Sequence, residues 1–143
     1  MSPYTFIIER IFNASVEIVW NAITKKELMK QWYFDLPEFK AEVGFKFEFT
    51  GGPSPDRQYL HQCEIVEVIK QKKIKHTWCY KGYEGISFVT FELFSEGQQC
   101  KIKLTHEGLE TFPKDNSDFA EKNFAEGWKI IIGKSLKEFV ENN

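Results

Sequence analysis

The side chains able to do chemistry in this sequence are few. His61, His76 and His106 are its three histidines, and Cys63, Cys79 and Cys100 its three cysteines. Histidine exchanges protons near neutral pH and is the commonest metal ligand. His76 and His106 share parity with the apolar residues of two alternating runs, Ile74-His76-Trp78-Tyr80 and Cys100-Ile102-Leu104-His106. Two inward histidines with no inward carboxylate fall short of the three or four ligands a metal needs. The pattern therefore predicts no metal site and no cofactor. Each imidazole reads either as a packed ring with one hydrogen bond or as a polar tip offered to a ligand in an apolar pocket. Acid–base chemistry would need a positioned pair inside such a pocket. His76, His106 and Arg10 are the inward candidates, and nothing in their spacing pairs them. There is no nucleophile elbow, P-loop, zinc-protease helix or dinucleotide fingerprint. The cysteines are odd in number, form no C-x-x-C pair and lie in strand-like runs, which predicts reduced thiols in a cytoplasmic protein.

The second chemical resource is aromatic. Fourteen Phe, four Trp and five Tyr make 16% of the chain, enough to build either a thick core or the wall of an apolar pocket. Trp32, Phe47, Trp78, Phe91, Phe124 and Trp128 come from different elements that face one interior. With His76, His106 and Ile131 they form the candidate ligand-binding set. Buried indole and phenol groups need a polar partner, which water or a ligand in a cavity would supply. Core packing alone is the competing reading.

These residues must be positioned by elements whose periods change along the chain. Tyr4, Phe6, Ile8 and Phe12 mark a first strand. Arg10 shares their parity, so either a bulge or strand-end exit turns it out, or it is a buried cation needing a partner. Asn13 or Ser15 caps a helix over about 15–24, with Val16, Val19, Trp20 and Ile23 inward. A second short helix, about Lys26 to Trp32, carries Leu28, Met29 and Trp32 inward. From Phe45 the period becomes two. Strands are expected around Phe45-Phe47-Phe49, from Tyr59 to Ile69, and around Ile74–Tyr80, Val89–Leu93 and Cys100–His106. The alternation slips near Ile65-Val66, which predicts a bulge and a bend. The stretch Gly51 to Asp56 reads as a loop by composition, and Gly108 to Ser117 as another. Short turns make these strands an antiparallel meander, with the first strand paired onto its end. The count is six, or seven if Glu38 to Ala41 also pairs. Asn116, Ser117 or Asp118 is expected to cap a long final helix running to about Val140. Its inward face carries Phe124, Trp128, Ile131, Ser135, Leu136 and Phe139, and it alone is long enough to cover the sheet's apolar face. The expected class is α+β, one domain over residues 1–143.

Bulk properties exclude several functions. A net charge of −2 is too weak a field for nucleic acid. The local run Lys70, Lys72, Lys73 and Lys75 reads as a solvated turn that discourages edge aggregation. Residues Met1 to Arg10 lack a secretory-leader pattern, and no apolar stretch approaches the roughly 20 residues of a membrane span.

The order of motifs resembles a known family. Asn13 to Ala22 is similar to an opening "A-x-x-x-x-V-W-x-A", and Leu28 to Tyr33 to "L-x-x-W-aromatic". Val43 to Phe49 and Glu64 to Trp78 follow the family's strand, turn and "L/I-x-x-T-W" order. Val89 to Gly108 resembles "T-F-E-L … L-T-H-x-G", and Gly127-Trp128 through Phe139 the closing "G-W … L-x-x-F". Together they resemble the homologues of the activator of heat shock protein 90 ATPase, in the START-like (SRPBCC, birch-pollen-allergen-like) superfamily. The sequence departs from the pattern at Cys63, where glycine is usual, at His76, where an aromatic or aliphatic residue is common, and at Gly44, the remnant of a glycine pair. The resemblance implies a helix-grip fold with a cavity between a curved antiparallel sheet and the long C-terminal helix. It leaves three functions open: non-enzymatic binding of a small hydrophobic or lipid-like molecule, partnership with the chaperone in a stress response, and cyclase- or hydrolase-like catalysis. The eukaryotic co-chaperone carries an additional N-terminal domain with no counterpart here, which weighs against the second.

Overall fold

A computed structural model describes residues 5–33 and 36–142. Six strands, β1 (Phe6–Phe12), β2 (Lys46–Ser54), β3 (Arg57–Ile69), β4 (Lys73–Tyr80), β5 (Ser87–Glu96) and β6 (Gln99–Glu107), form one antiparallel sheet. Their order is β1-β6-β5-β4-β3-β2, so the meander runs from β2 to β6 and β1 closes onto its end. The sheet is curved and not closed. Alternation does the sorting: β4 and β6 bury every second residue, and those residues include His76, Trp78, Leu104 and His106. β3 shifts register between Ile65 and Glu67, at the expected bulge.

Helices cover the inner face. α1 (Val16–Thr24) is capped by Ser15, whose Oγ accepts from the Ile18 N–H at 3.3 Å. α2 (Lys26–Met29) is shorter than expected, and a turn after it carries the buried Trp32. The C-terminal helix is continuous over 121–141, built from the α-helical Glu121–Ile130, a π-helical stretch Ile131–Leu136 and the α-helical Lys137–Glu141. Its far end is pinned: Glu141 accepts from the Asn13 backbone N–H at 2.8 Å and pairs with Lys137 at 2.7 Å.

The sheet has the six strands expected among the described residues, and Glu38 to Ala41 does not pair as a seventh. Other expectations are corrected. Gly51 to Ser54 belong to β2, and the turn shrinks to Pro55-Asp56. Glycine permits this, because a Cβ on Gly52 would lie 1.9 Å from the Arg57 carbonyl oxygen across the hairpin. The long helix has no side-chain cap; it starts after Ala120, and Asn116 instead caps the tight turn Ser117–Phe119. The fully covered side of its second half is Ile132, Leu136 and Val140, with Ile131, Ser135 and Phe139 half-buried beside it. Arg10 sits opposite Ile102 in unbroken register, so no bulge turns it out. Its side chain is exposed, passes beside Gly133 and donates from Nη1 to the Glu9 carbonyl at 2.7 Å. Tyr4 lies outside the described residues.

Candidate functional site

The space between sheet and C-terminal helix has two unlike ends. At one end, α1, α2 and the segment around Phe39 press onto the sheet. Ile23, Met29, Trp32, Tyr33, Phe39, Phe47, Ile74, His76 and Phe91 leave a void of about 20 Å³, room for one water molecule. Phe39 meets Phe47 edge-on at 5.2 Å, and Phe47 meets His76 likewise at 5.2 Å. Trp32 and Tyr33 stack at 4.9 Å.

At the other end a cleft of about 720 Å³ opens between the β2–β3 hairpin, β4 and the start of the C-terminal helix. Its apolar walls are Trp78 and Tyr80 from β4, Phe119 from the tight turn, and Phe124, Trp128 and Ile131 from the helix. Tyr80 and Phe119 stack at 4.6 Å, and Trp78 and Trp128 lie 5.6 Å apart. The mouth is polar. The Tyr59 hydroxyl donates to Asp118 Oδ2 at 2.6 Å and accepts from Asn116 Nδ2 at 3.2 Å. Arg57 Nε lies 3.4 Å from the same carboxylate oxygen. Bonding to Asp118 foremost raises the Tyr59 pKa above its ordinary value. Lys122 and Glu126 complete the rim.

The nine residues expected at the site therefore divide. Trp78, Phe124, Trp128 and Ile131 line the cleft, whereas Trp32, Phe47, His76 and Phe91 lie around the filled end. His106 lies between the two and lines neither. The Trp128 indole N–H donates to its Nδ1 at 3.0 Å, which makes Nδ1 the acceptor and puts the proton on Nε2. Nε2–H then donates to Ser87 Oγ at 2.8 Å, and that hydroxyl donates to the Trp78 carbonyl at 2.8 Å. Both ring nitrogens are committed. Burial foremost, then the neighbouring His76 and His61, push the His106 pKa down to about 3. The indole N–H groups of Trp32 and Trp78 are also satisfied within the protein, by the Ala22 carbonyl and the Tyr80 hydroxyl, each at 2.9 Å. These indoles make no demand for a ligand.

His61, Tyr59, Tyr80 and Phe119 were not in the expected set. His61 lines the cleft, stacks on Phe49 at 4.5 Å and stands edge-on to Trp78 at 4.9 Å. Its Nδ1 is 3.0 Å from the Tyr59 carbonyl, and burial lowers its pKa to about 4. The signal for it was the alternation Tyr59-His61-Cys63-Ile65 before the bulge. Asp118 and Asn116 read as caps of the long helix; the tight turn brings them to the mouth. Among the described residues, no three of His, Cys, Asp or Glu come together to hold a metal. No helix among them is long and apolar enough to cross a membrane.

Solved structures share this architecture over the whole chain. Protein CV1439 from Chromobacterium violaceum matches with a TM-score of 0.81 at 19% identity, over 99% of this chain and 100% of that one. Protein MLL2253 from Mesorhizobium loti matches with a TM-score of 0.77 at 23% identity, over 97% and 98%. Protein BH1534 from Bacillus halodurans matches with a TM-score of 0.73 at 26% identity, over 96% of each chain. No curated protein matches the chain. These likenesses are of fold, and this fold supports ligand binding in general without naming the ligand. The family model described as activator of Hsp90 ATPase homolog 1-like protein matches residues 13–141, and the chain belongs to that family.

Proposed function

We propose that the protein binds a small, largely hydrophobic or lipid-like molecule in the ring-walled cleft and does not transform it. The observation that carries the reading is the cleft itself: about 720 Å³ of space walled by rings, while the other end of the sheet–helix interior is filled. That volume suits a drug-sized ligand. The apolar body would lie among Trp78, Tyr80, Phe119, Phe124, Trp128 and Ile131. A polar end would meet the Arg57–Asp118–Tyr59 mouth. We assign ligand contact to these residues, with Trp32, Phe47, His76, Phe91 and His106 supporting them from behind.

Binding without turnover is favoured because each of the three histidines is taken up by packing or by hydrogen bonds within the protein. His106 has both nitrogens engaged, His76 lies at the filled end, and His61 is held neutral at pH 7. A single domain over residues 1–143, working in the cytoplasm, belongs to the same proposal. The family description favours one other reading, partnership with the heat shock protein 90 chaperone in a stress response. An ATPase assay of the chaperone with and without this protein decides it, and an unchanged rate removes it.

The main test is calorimetry or ligand-detected NMR against fatty acids, sterols and flavonoids. We expect at least one class to bind tighter than millimolar and to perturb tryptophan fluorescence through Trp78 and Trp128. If none binds more tightly than millimolar, the proposal fails.

A further inference from the structure

Among the described residues nothing crowds Gly127, and its backbone conformation does not call for glycine. It lies inside the α-helical stretch Glu121–Ile130, and its carbonyl accepts from the Ile131 N–H. Glycine in a helix interior is destabilising relative to alanine, because it loses more backbone freedom on folding. Most other glycines whose surroundings are described have a steric or conformational reason. Gly44, Gly82 and Gly97 have positive φ; a Cβ on Gly52, Gly85 or Gly108 would crowd backbone; a Cβ on Gly133, which lies outside the cleft, would touch the Arg10 guanidinium at ordinary contact distance. At Gly127 the φ is not positive, and a Cβ there would meet nothing among the described residues within 4 Å. It lines the cleft, between Phe124 and Trp128. A bare Cα beside a cavity lets a ligand approach the helix backbone closely.

We infer that Gly127 is a specificity-determining residue of the cleft, admitting a rigid ring-bearing body against the helix where a side chain would hold it off. This rests on the cleft being the binding site. Rings on the facing walls, Trp78 and Tyr80, favour a planar occupant, because aromatic faces and edges pair in fixed geometries. A flexible alkyl chain would bend around an added methyl; a rigid ring system would not.

The test titrates anilinonaphthalene sulfonate, as a ring-bearing probe, and dodecanoate, as a flexible one, into wild type, Gly127→Ala and Gly127→Leu. The exposed Lys129→Ala serves as a helix control, and every variant is melted. Gly127→Ala should raise Tm by about 3 °C, since it gains helix propensity without a clash. It should weaken the ring-bearing probe roughly threefold, and Gly127→Leu roughly tenfold or more, with dodecanoate less affected. A Gly127→Ala variant that melts lower than wild type shows the glycine to be structural and overturns the inference. So does ring-probe affinity in Gly127→Leu within twofold of wild type, while the cleft remains a binding site. If wild type binds dodecanoate but not the ring-bearing probe, or binds neither, the inference is overturned, and the wider screen of fatty acids, sterols and flavonoids decides the cleft reading separately.

Discussion

The two ends of the sheet–helix interior are built from the same material and come out differently. Both are lined by rings, and both have Trp78 or its strand neighbour His76 in their floor. What differs is the cover. At the filled end α1, α2 and Phe39 close over the sheet, and the C-terminal helix is pinned by Glu141 to the start of α1. At the open end only the beginning of the same helix stands over β3 and β4, uncapped by any side chain, and the tight turn at Phe119 forms a wall without a roof. Aromatic content therefore says how much interior there is. Covering elements decide whether that interior is core or cleft.

The largest expected effect lies where the two ends meet. The three histidines surround Trp78, with ring centroids at 4.9 Å for His61, 6.3 Å for His76 and 5.4 Å for His106. Burial lowers their pKa values to about 4, 4 and 3 from an ordinary 6.5. Below pH 6.5 the unfolded chain takes up protons that the folded chain refuses. Stability is thus fully present above about pH 6.5 and drains away as pH falls toward 4. Each histidine adds up to about 1.4 kcal/mol per pH unit to that slope. Urea unfolding at pH 7.5, 6 and 5, followed by tryptophan fluorescence, should show a steep loss of stability; a midpoint unchanged over that range defeats the claim. Replacing His61 or His76 by Gln should flatten the slope by similar amounts, because burial lowers both to about 4.

Truncating one ring at each end tests the comparison directly. Phe47→Ala, in the filled end, opens a cavity that nothing refills and should cost about 3–5 kcal/mol. Phe119→Ala enlarges a space already open to water and should cost about 2 kcal/mol. Ligand affinity should follow the opposite order, falling for Phe119→Ala and holding for Phe47→Ala. Equal stability losses from chemical denaturation, or affinity lost equally in both, would mean that the two ends are one cavity.

How much of this was legible depended on the range of the signal. Strand alternation is local, so β4, β5, β6 and even the slip at Ile65 could be read residue by residue, and the order of strands followed from short turns. Composition misled at Gly51 to Ser54, because whether glycines form a loop or a bent strand is decided by the partner strand at Tyr59 and Arg57. For the site, inward parity identified rings correctly as interior. It could not say which end they occupied, since Phe47 and Trp78 carry the same parity signal and differ only in what lies above them. His106 is the clearest case: its partners Ser87 and Trp128 are 19 and 22 residues away in sequence. Nothing local announced that both nitrogens would be spoken for.

The smallest effect tests whether the pinned end matters to the open one. Glu141 accepts from the Asn13 N–H, and that bond, ahead of Lys137, holds its pKa below the ordinary carboxylate value. Glu141→Ala removes a charge-assisted bond and an ion pair at a partly exposed position, where solvent screens both. The expected loss is about 1 kcal/mol or less. Because a lowered carboxylate pKa stabilises only above the unfolded value, the difference between wild type and variant should shrink as pH falls below about 4.5. Ligand affinity should stay unchanged. The π-helical stretch Ile131–Leu136 begins at the cleft wall and continues away from it toward Glu141, and its Ile132 and Leu136 remain packed whether or not the last turn frays. A calorimetric titration in which Glu141→Ala weakens binding severalfold would show the helix moving as one rigid lever. The pinned end would then set the width of the cleft, and filled and open regions would be a single mechanical unit.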